Sequence, residues 1–162
     1  MNFTQLFSMQ RELDTHIEQK HGLQEESLIQ RKTLALLVEL GELANETRCF
    51  KFWSLKKPAE REVILEEYVD GIHFILSLGL EINIDREKDF KKEENDNNIN
   101  EQFLYAYQTI SAFQVNQEEQ HYEAMFSAYL QLGHLLGFSA EDIKRAYLEK
   151  NEENFKRQEQ GY

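Results

Sequence analysis

ELGELANE, Glu39 to Glu46, sets three carboxylates into an apolar run formed by Leu36, Leu37, Val38, Leu40, Leu43 and Ala44. On a helix of 3.6 residues per turn, Glu39, Glu42 and Glu46 fall within about 60° of one another. EYVDGIH, Glu67 to His73, repeats the device, because Glu67 and Asp70 share a face at the same spacing. Two helices that each aim carboxylates along one line form the pattern of a metal site in a helical bundle. Acids flanked by leucines lie near the core, where an unpaired charge is costly. A hard divalent cation offsets that cost, and oxygen-only ligands favour Mg²⁺ over Zn²⁺.

Around these segments the chain is rich in Leu, Glu, Gln, Lys and Ala, and its apolar residues recur at three and four almost throughout. The expected fold is all-α, a carboxylate-bearing four-helix-bundle core with additional helices. The first helix runs from about Phe3 to Lys20, burying Phe3, Leu6, Phe7, Leu13 and Ile17, and Gly22 is placed to close it. The second begins near Ser27, where Ser27 and Gln30 have capping-box spacing, and continues to about Thr47. After the aromatic and basic stretch RCFKFWSLKK, Arg48 to Lys57, Pro58 opens a third helix that reaches about Ile82. DREKDFKKEENDNNIN, Asp85 to Asn100, has little to bury and is expected as a mobile charged loop.

A fourth helix carries Ile99, Phe103, Tyr107, Ile110 and Phe113, and a fifth carries Tyr122, Met125, Phe126, Tyr129, Leu132 and Leu136 before Gly137 stops it. Ser139 and Asp142 then cap a sixth that runs to about Arg157. Residues 1–162 suffice for a single domain. Six helices offer more apolar surface than one four-helix core buries, with Phe103, Tyr107, Phe113, Phe126 and Tyr129 among the surplus, so a homodimer is expected.

Thirty acidic against eighteen basic residues give a formal net charge of −12, which argues against nucleic-acid polymers and anionic membranes as partners. The one cysteine, Cys49, permits no intrachain disulfide and reads as a packing residue. No run has the profile of a membrane span or signal peptide, so the expected location is the cytoplasm.

The last helix breaks its own pattern. Ile143 and Tyr147 set a buried stripe whose continuation lands on Asn151, Asn154 and Gln158, with Lys150 and Arg157 at its borders. A core-facing stripe that turns polar needs a polar object to face, and Lys, Arg and Asn donors suit phosphate oxygens. Lys51, Lys56 and Lys57 form the sizeable basic cluster near the acidic helices, as phosphate contacts or as surface charge. Trp53 reads as a base-stacking group, a phosphate contact or a loop anchor. His73, one turn after Asp70, reads as a metal ligand, a ligand-contacting donor or a satisfied core histidine, the last being the ordinary case. A di-iron centre would need two Glu-x-x-His pairs, whereas Asp70 and His73 alone have that spacing, so iron fails on ligand count. A magnesium site acting on a nucleoside triphosphate needs carboxylates, waters and phosphate-binding cations, and those are present.

Four stretches carry a family resemblance: MQRELD at Met9 to Asp14, ELGELANETRCFKFWSLKKP at Glu39 to Pro58, EEYVDGIHFILSLG at Glu66 to Gly79, and YLEKNEENFKRQEQGY at Tyr147 to Tyr162. Through them the chain resembles the dimeric all-α dUTPases, within the wider superfamily of MazG-like nucleoside triphosphate pyrophosphohydrolases. The resemblance implies hydrolysis of dUTP to dUMP and pyrophosphate, with dUDP as a second substrate, in a homodimer whose sites borrow residues from the partner chain. It implies that Glu39, Glu42, Glu67 and Asp70 hold two or more Mg²⁺ ions, for which Mn²⁺ can substitute, with Glu46 near the site. Glu42 or Glu39 would also orient or deprotonate the attacking water. Gln10, Asp14, Trp53 and His73 would line the nucleoside pocket. Lys150, Asn154 and Arg157 would bind phosphates, with Lys51, Lys56 and the neighbouring Asn151 as further candidates. Family members often carry Asn where Asp14 stands. A MazG-like housecleaning pyrophosphohydrolase with a different or broader dNTP preference is the alternative.

Overall fold

The computed structural model describes residues 1–84 and 86–162. Six helices follow one another: α1 (Thr4–His21), α2 (Ile29–Thr47), α3 (Arg61–Glu81), α4 (Ile99–Val115), α5 (Glu119–Leu135) and α6 (Ala140–Glu159). The fold is all-α, and the one bridge outside the helices among the described residues pairs Asn2 with Asp89. Helix α3 is the hub, packed against α1, α2, α5 and α6, while α4 joins α2 to α5. Its sequence accounts for this position, since Ile72, His73, Ile75, Leu76, Ser77 and Leu78 are all buried and leave no polar face along that stretch.

Two glycines let α3 and α5 approach each other. Tyr68 on α3 donates its hydroxyl to the Tyr129 carbonyl at 3.1 Å, and Tyr129 on α5 returns a bond to the Tyr68 carbonyl at 2.9 Å. The rings stack with centroids 4.8 Å apart. Each hydroxyl lodges over a glycine, so a Cβ built at Gly71 would lie 1.9 Å from the Tyr129 oxygen and one at Gly133 would lie 2.4 Å from the Tyr68 oxygen. Gly133→Ala, which adds that Cβ, is therefore expected to destabilise the protein by about 2 kcal/mol despite the better helix propensity of Ala. The thermal midpoint should fall by roughly 4–8 °C. A rise in the midpoint would mean that Tyr68 does not depend on the missing side chain.

The helix ends depart from expectation in two places. No Ser27–Gln30 box forms; α2 begins at Ile29 with Leu28 as N-cap and no side-chain cap bond. Leu28 is buried, so the chain enters α2 by packing a leucine rather than by capping. Pro58 does not open α3, which starts three residues later behind Glu60 in an extended conformation. The Ala59 amide donates to the Glu46 carbonyl at 3.0 Å, which holds this segment across the end of α2. At α6 the Ser139–Asp142 capping box is present, and Asn98 with Glu101 forms another ahead of α4.

The charged stretch before α4 has more to bury than its composition suggests. Phe90 is buried against the rings of Phe3, Phe7 and Phe126. The N-terminal ammonium donates to the Phe90 carbonyl at 2.9 Å, and the Glu93 amide donates to the Ser127 carbonyl at 3.1 Å. Asp85, the first residue of the expected loop, lies outside the described residues. The aromatic residues expected as surplus are accommodated within the chain: Phe103, Phe113, Phe126 and Tyr129 are buried and Tyr107 is half-buried. The reason is that α4 and α5 pack on each other as well as on α2 and α3. The large apolar groups left exposed are others, among them Leu34 and Val38 on α2, Leu104 and Val115 on α4, and Phe52, Trp53 and Leu55 in the loop after α2.

Candidate active site

Packing of α2 on α3 brings the two acidic lines together. Carboxylate oxygens of Glu39, Glu67 and Asp70 lie within 4.8 Å of one another, each half-buried. Glu42 is exposed and adds to the negative field at Glu39 and Glu67, and Glu46 contributes to the field at Glu67. Burial and the neighbouring Asp70, Glu42 and Glu67 push the Glu39 carboxyl up to about 8. Burial likewise raises Asp70 to about 6, although Lys150 opposes it, and raises Glu67, with Asp70 and Glu42 adding to the shift. All three groups hold protons more tightly than free carboxylates because burial penalises their charge and the neighbouring acids outnumber the cations that face them. Lys150 Nζ lies 3.0 Å from Asp70 Oδ2 and 2.8 Å from Glu66 Oε1.

A cavity of about 380 Å³ adjoins this group, with Glu39 and Asp70 in its wall. Helix α1 contributes Gln10 and Asp14, α2 Lys32, α3 His73 and Ser77, and α6 Lys150, Asn154 and Arg157. The polar stripe of the last helix thus faces the same space as the carboxylates. Arg157 is paired with Glu153 and sits over the Tyr162 ring at 5.2 Å, and Asn151 is buried. Trp53, Lys51 and Lys56 are placed elsewhere, on the loop after α2 and outside the cavity wall. Trp53 is 64% exposed and packs edge-on against Phe50 and Phe52.

His73 is buried and stacked on Tyr147 with centroids 4.1 Å apart. Burial, with the Lys150 charge, holds its pKa down to about 3, only partly opposed by the Tyr147 backbone carbonyl. Its Nδ1 is 2.8 Å from Gln10 Oε1, and Gln10 in turn reaches Asp14. Three members of this neighbourhood were not singled out from the sequence. Lys32 pairs with Asp14, Glu18 and Glu81, whose charges raise its pKa against the effect of burial. Ser77 donates to Asp14 Oδ2 at 2.6 Å, and the Tyr147 hydroxyl donates to Gln10 Oε1 at 2.8 Å. Lys32 lies seven residues before Glu39 and Ser77 seven after Asp70, so helical spacing was the available signal for both.

The arrangement joins a clustered set of oxygen donors to a cavity that is part basic and part neutral polar, which suits a metal-dependent enzyme acting on an anion with an uncharged moiety. A family model described as dUTPase matches residues 2–162. The chain belongs to the dUTPase family. It is accordingly an all-α dUTP diphosphatase, an enzyme that hydrolyses dUTP, with a nucleotide as substrate. Neither a curated protein nor a solved structure matches the chain. Enzymes of this family generally use a divalent metal, and the residues present fit one. Three carboxylates with raised proton affinity and one neighbouring ammonium are under-neutralised, which an added cation corrects. No described helix is long and apolar enough to cross a membrane.

Proposed function

We propose that the chain is a Mg²⁺-dependent dUTPase that also accepts dUDP, cleaving between the α and β phosphates to give dUMP. The observation that carries this reading is the Glu39, Glu67 and Asp70 cluster beside a cavity that also holds Lys150, Asn154 and Arg157. Glu39, Glu42, Glu67 and Asp70 would hold the metal, and when bound it supplies charge neutralisation and Lewis acidity at the phosphorus under attack. Lys150, Asn154 and Arg157 donate to phosphate oxygens, and Gln10, Asp14 and His73 surround the nucleoside. Glu42 or Glu39 orients the attacking water and takes its proton. A new P–O bond forms at the α phosphorus while the bond to the bridging oxygen breaks, and pyrophosphate leaves with that electron pair. For dUDP the leaving group is phosphate.

A nucleotide panel with and without EDTA tests the reading. Turnover of dUTP to dUMP and pyrophosphate should require Mg²⁺ or Mn²⁺ and exceed that of dTTP and dCTP at least tens-fold, since a methyl clash or a mismatched polar edge each costs about 1–3 kcal/mol. Products of dUDP plus phosphate from dUTP would sink it. Comparable rates on all dNTPs would instead favour a broad housecleaning activity.

The same reading includes a homodimer. Exposed Leu34, Val38, Leu104 and Val115 on the packed pair α2 and α4 supply an apolar face, and Phe52, Trp53 and Leu55 supply a second apolar group on a loop away from their own cavity. Light scattering at micromolar concentration should report about twice the 19.3 kDa chain mass, and specific activity should fall on dilution. A fully active species of single-chain mass would refute the dimer.

A further inference from the structure

The hydrogen bonds in the cavity wall run in one direction. Asp14 is a carboxylate with Lys32 Nζ 3.5 Å from Oδ2, so both oxygens accept. Gln10 Nε2 donates to Oδ1 at 2.8 Å and Ser77 Oγ donates to Oδ2 at 2.6 Å. The Gln10 amide is thereby oriented, and its Oε1 takes the Tyr147 hydroxyl at 2.8 Å while lying 2.8 Å from His73 Nδ1. An amide oxygen only accepts, which requires the hydrogen to be on Nδ1. A neutral imidazole protonated there carries a lone pair on Nε2. That atom is buried and has no hydrogen-bond partner among the described residues, the Tyr147 carbonyl that acts on the charge of the ring making no hydrogen bond to it, in a side chain that lines the cavity.

We propose that Asp14 is a positioning residue that, through Gln10, fixes His73 as the Nδ1–H tautomer, so that the pocket offers the nucleoside a lone pair at Nε2 and selects a hydrogen-bond donor there. This rests on the functional reading above, in which the cavity receives a deoxyuridine nucleotide. In that class the donors are the N3–H of the base and the 3′-hydroxyl of the sugar. Lys32 sets the direction of the relay. In Asp14→Asn the new amide turns its oxygen toward Lys32 and Ser77, which leaves its NH₂ facing Gln10. Gln10 then presents Oε1 to position 14 and Nε2 to His73, whose Nδ1 becomes the acceptor and whose Nε2 gains the hydrogen.

Long-range ¹H–¹⁵N spectra of the full chain labelled at histidine read this directly, with His73 assigned by the signals missing in His73→Gln. The wild type should show hydrogen on Nδ1, Asp14→Asn should move it to Nε2, and Ser77→Ala, which removes a donor without reversing the relay, should leave it on Nδ1. A wild-type ring protonated at Nε2 overturns the proposal, as does an unmoved hydrogen in Asp14→Asn. The wild-type spectrum decides the first point even if the variant does not fold. Kinetics with N3-methyl-dUTP and 2′,3′-dideoxyuridine triphosphate should show KM raised about tenfold or more for whichever analogue has lost the donor, with kcat near that for dUTP. The penalty should shrink in Asp14→Asn, which separates a lost hydrogen bond from added bulk. Equal KM for both analogues and dUTP overturns the proposal. Absence of dUTP turnover in the wild type sinks the functional reading, and the spectra still decide the relay.

Discussion

Glu39→Gln is expected to reduce dUTP turnover by about 10³-fold or more, and at pH 8 without metal to raise the thermal midpoint rather than lower it. The two effects share one cause. Folding half-buries Glu39, places it among acids and so pushes its pKa from 4.5 to about 8, and the folded chain therefore binds that proton more tightly than the unfolded one. Stability from this group is therefore undiminished below about pH 4.5, falls as pH rises through the window up to about 8, and is lowest above it. Asp70, raised to about 6, acts in the same direction over a lower window. An amide at position 39 carries no charge to penalise, so metal-free midpoints of the wild type should fall by a few °C between pH 6 and pH 8.5, and those of the variant by less. Added Mg²⁺ should raise the wild-type midpoint and leave the variant nearly unmoved. A clear fall of the variant midpoint at pH 8 would mark Glu39 as a structural partner instead.

The acids of the site were legible because they contradict their surroundings. Glu39 stands in an apolar run and Glu67 and Asp70 repeat its spacing, so the helical period alone predicts that they converge once two helices pack. Lys32 was not legible in that way, because a lysine on an amphipathic helix is ordinarily solvated, and what singles this one out is a triple pairing with acids from α1 and α3. Ser77 and Tyr147 were hidden for the opposite reason, as both fit a buried stripe, and the spacing that sets Ser77 two turns beyond Asp70 places it near the site without reporting its hydrogen bond. The helices themselves were readable to within a few residues, yet the start of α2 depended on where Leu28 finds burial, a tertiary fact. The expected excess of aromatics failed on the same ground. A stripe shows that Phe113 or Tyr129 needs cover, but not that a neighbouring helix of the same chain provides it. The position of Trp53 is equally unreadable, since a loop has no period to fix its course.

Lys150→Ala should move stability in the opposite direction from Glu39→Gln while also weakening substrate binding. Lys150 opposes the rise in the Asp70 pKa more strongly than Arg157 does, and it is bonded to Glu66 and Asp70 at once. Removing it leaves Asp70 half-buried beside Glu39 and Glu67 with that counter-charge gone, so the metal-free midpoint at pH 8 should fall by several °C. Lowering the pH protonates the acids whose repulsion is then unopposed, and the deficit should narrow toward pH 5.5. A divalent cation offsets the same repulsion, so the midpoint gain on adding Mg²⁺ should be larger in the variant than in the wild type. The phosphates gain nothing in exchange: with one donor lost, KM for dUTP should rise at least about tenfold, and about a hundredfold when Arg157→Ala is added. Unchanged kinetics in the double variant would remove the phosphates from the polar stripe of α6. A metal-free midpoint that rises in Lys150→Ala would mean that desolvating the ammonium costs more than its ion pairs with Glu66, Asp70 and Glu153 return, and that the acids of this site tolerate one another without it.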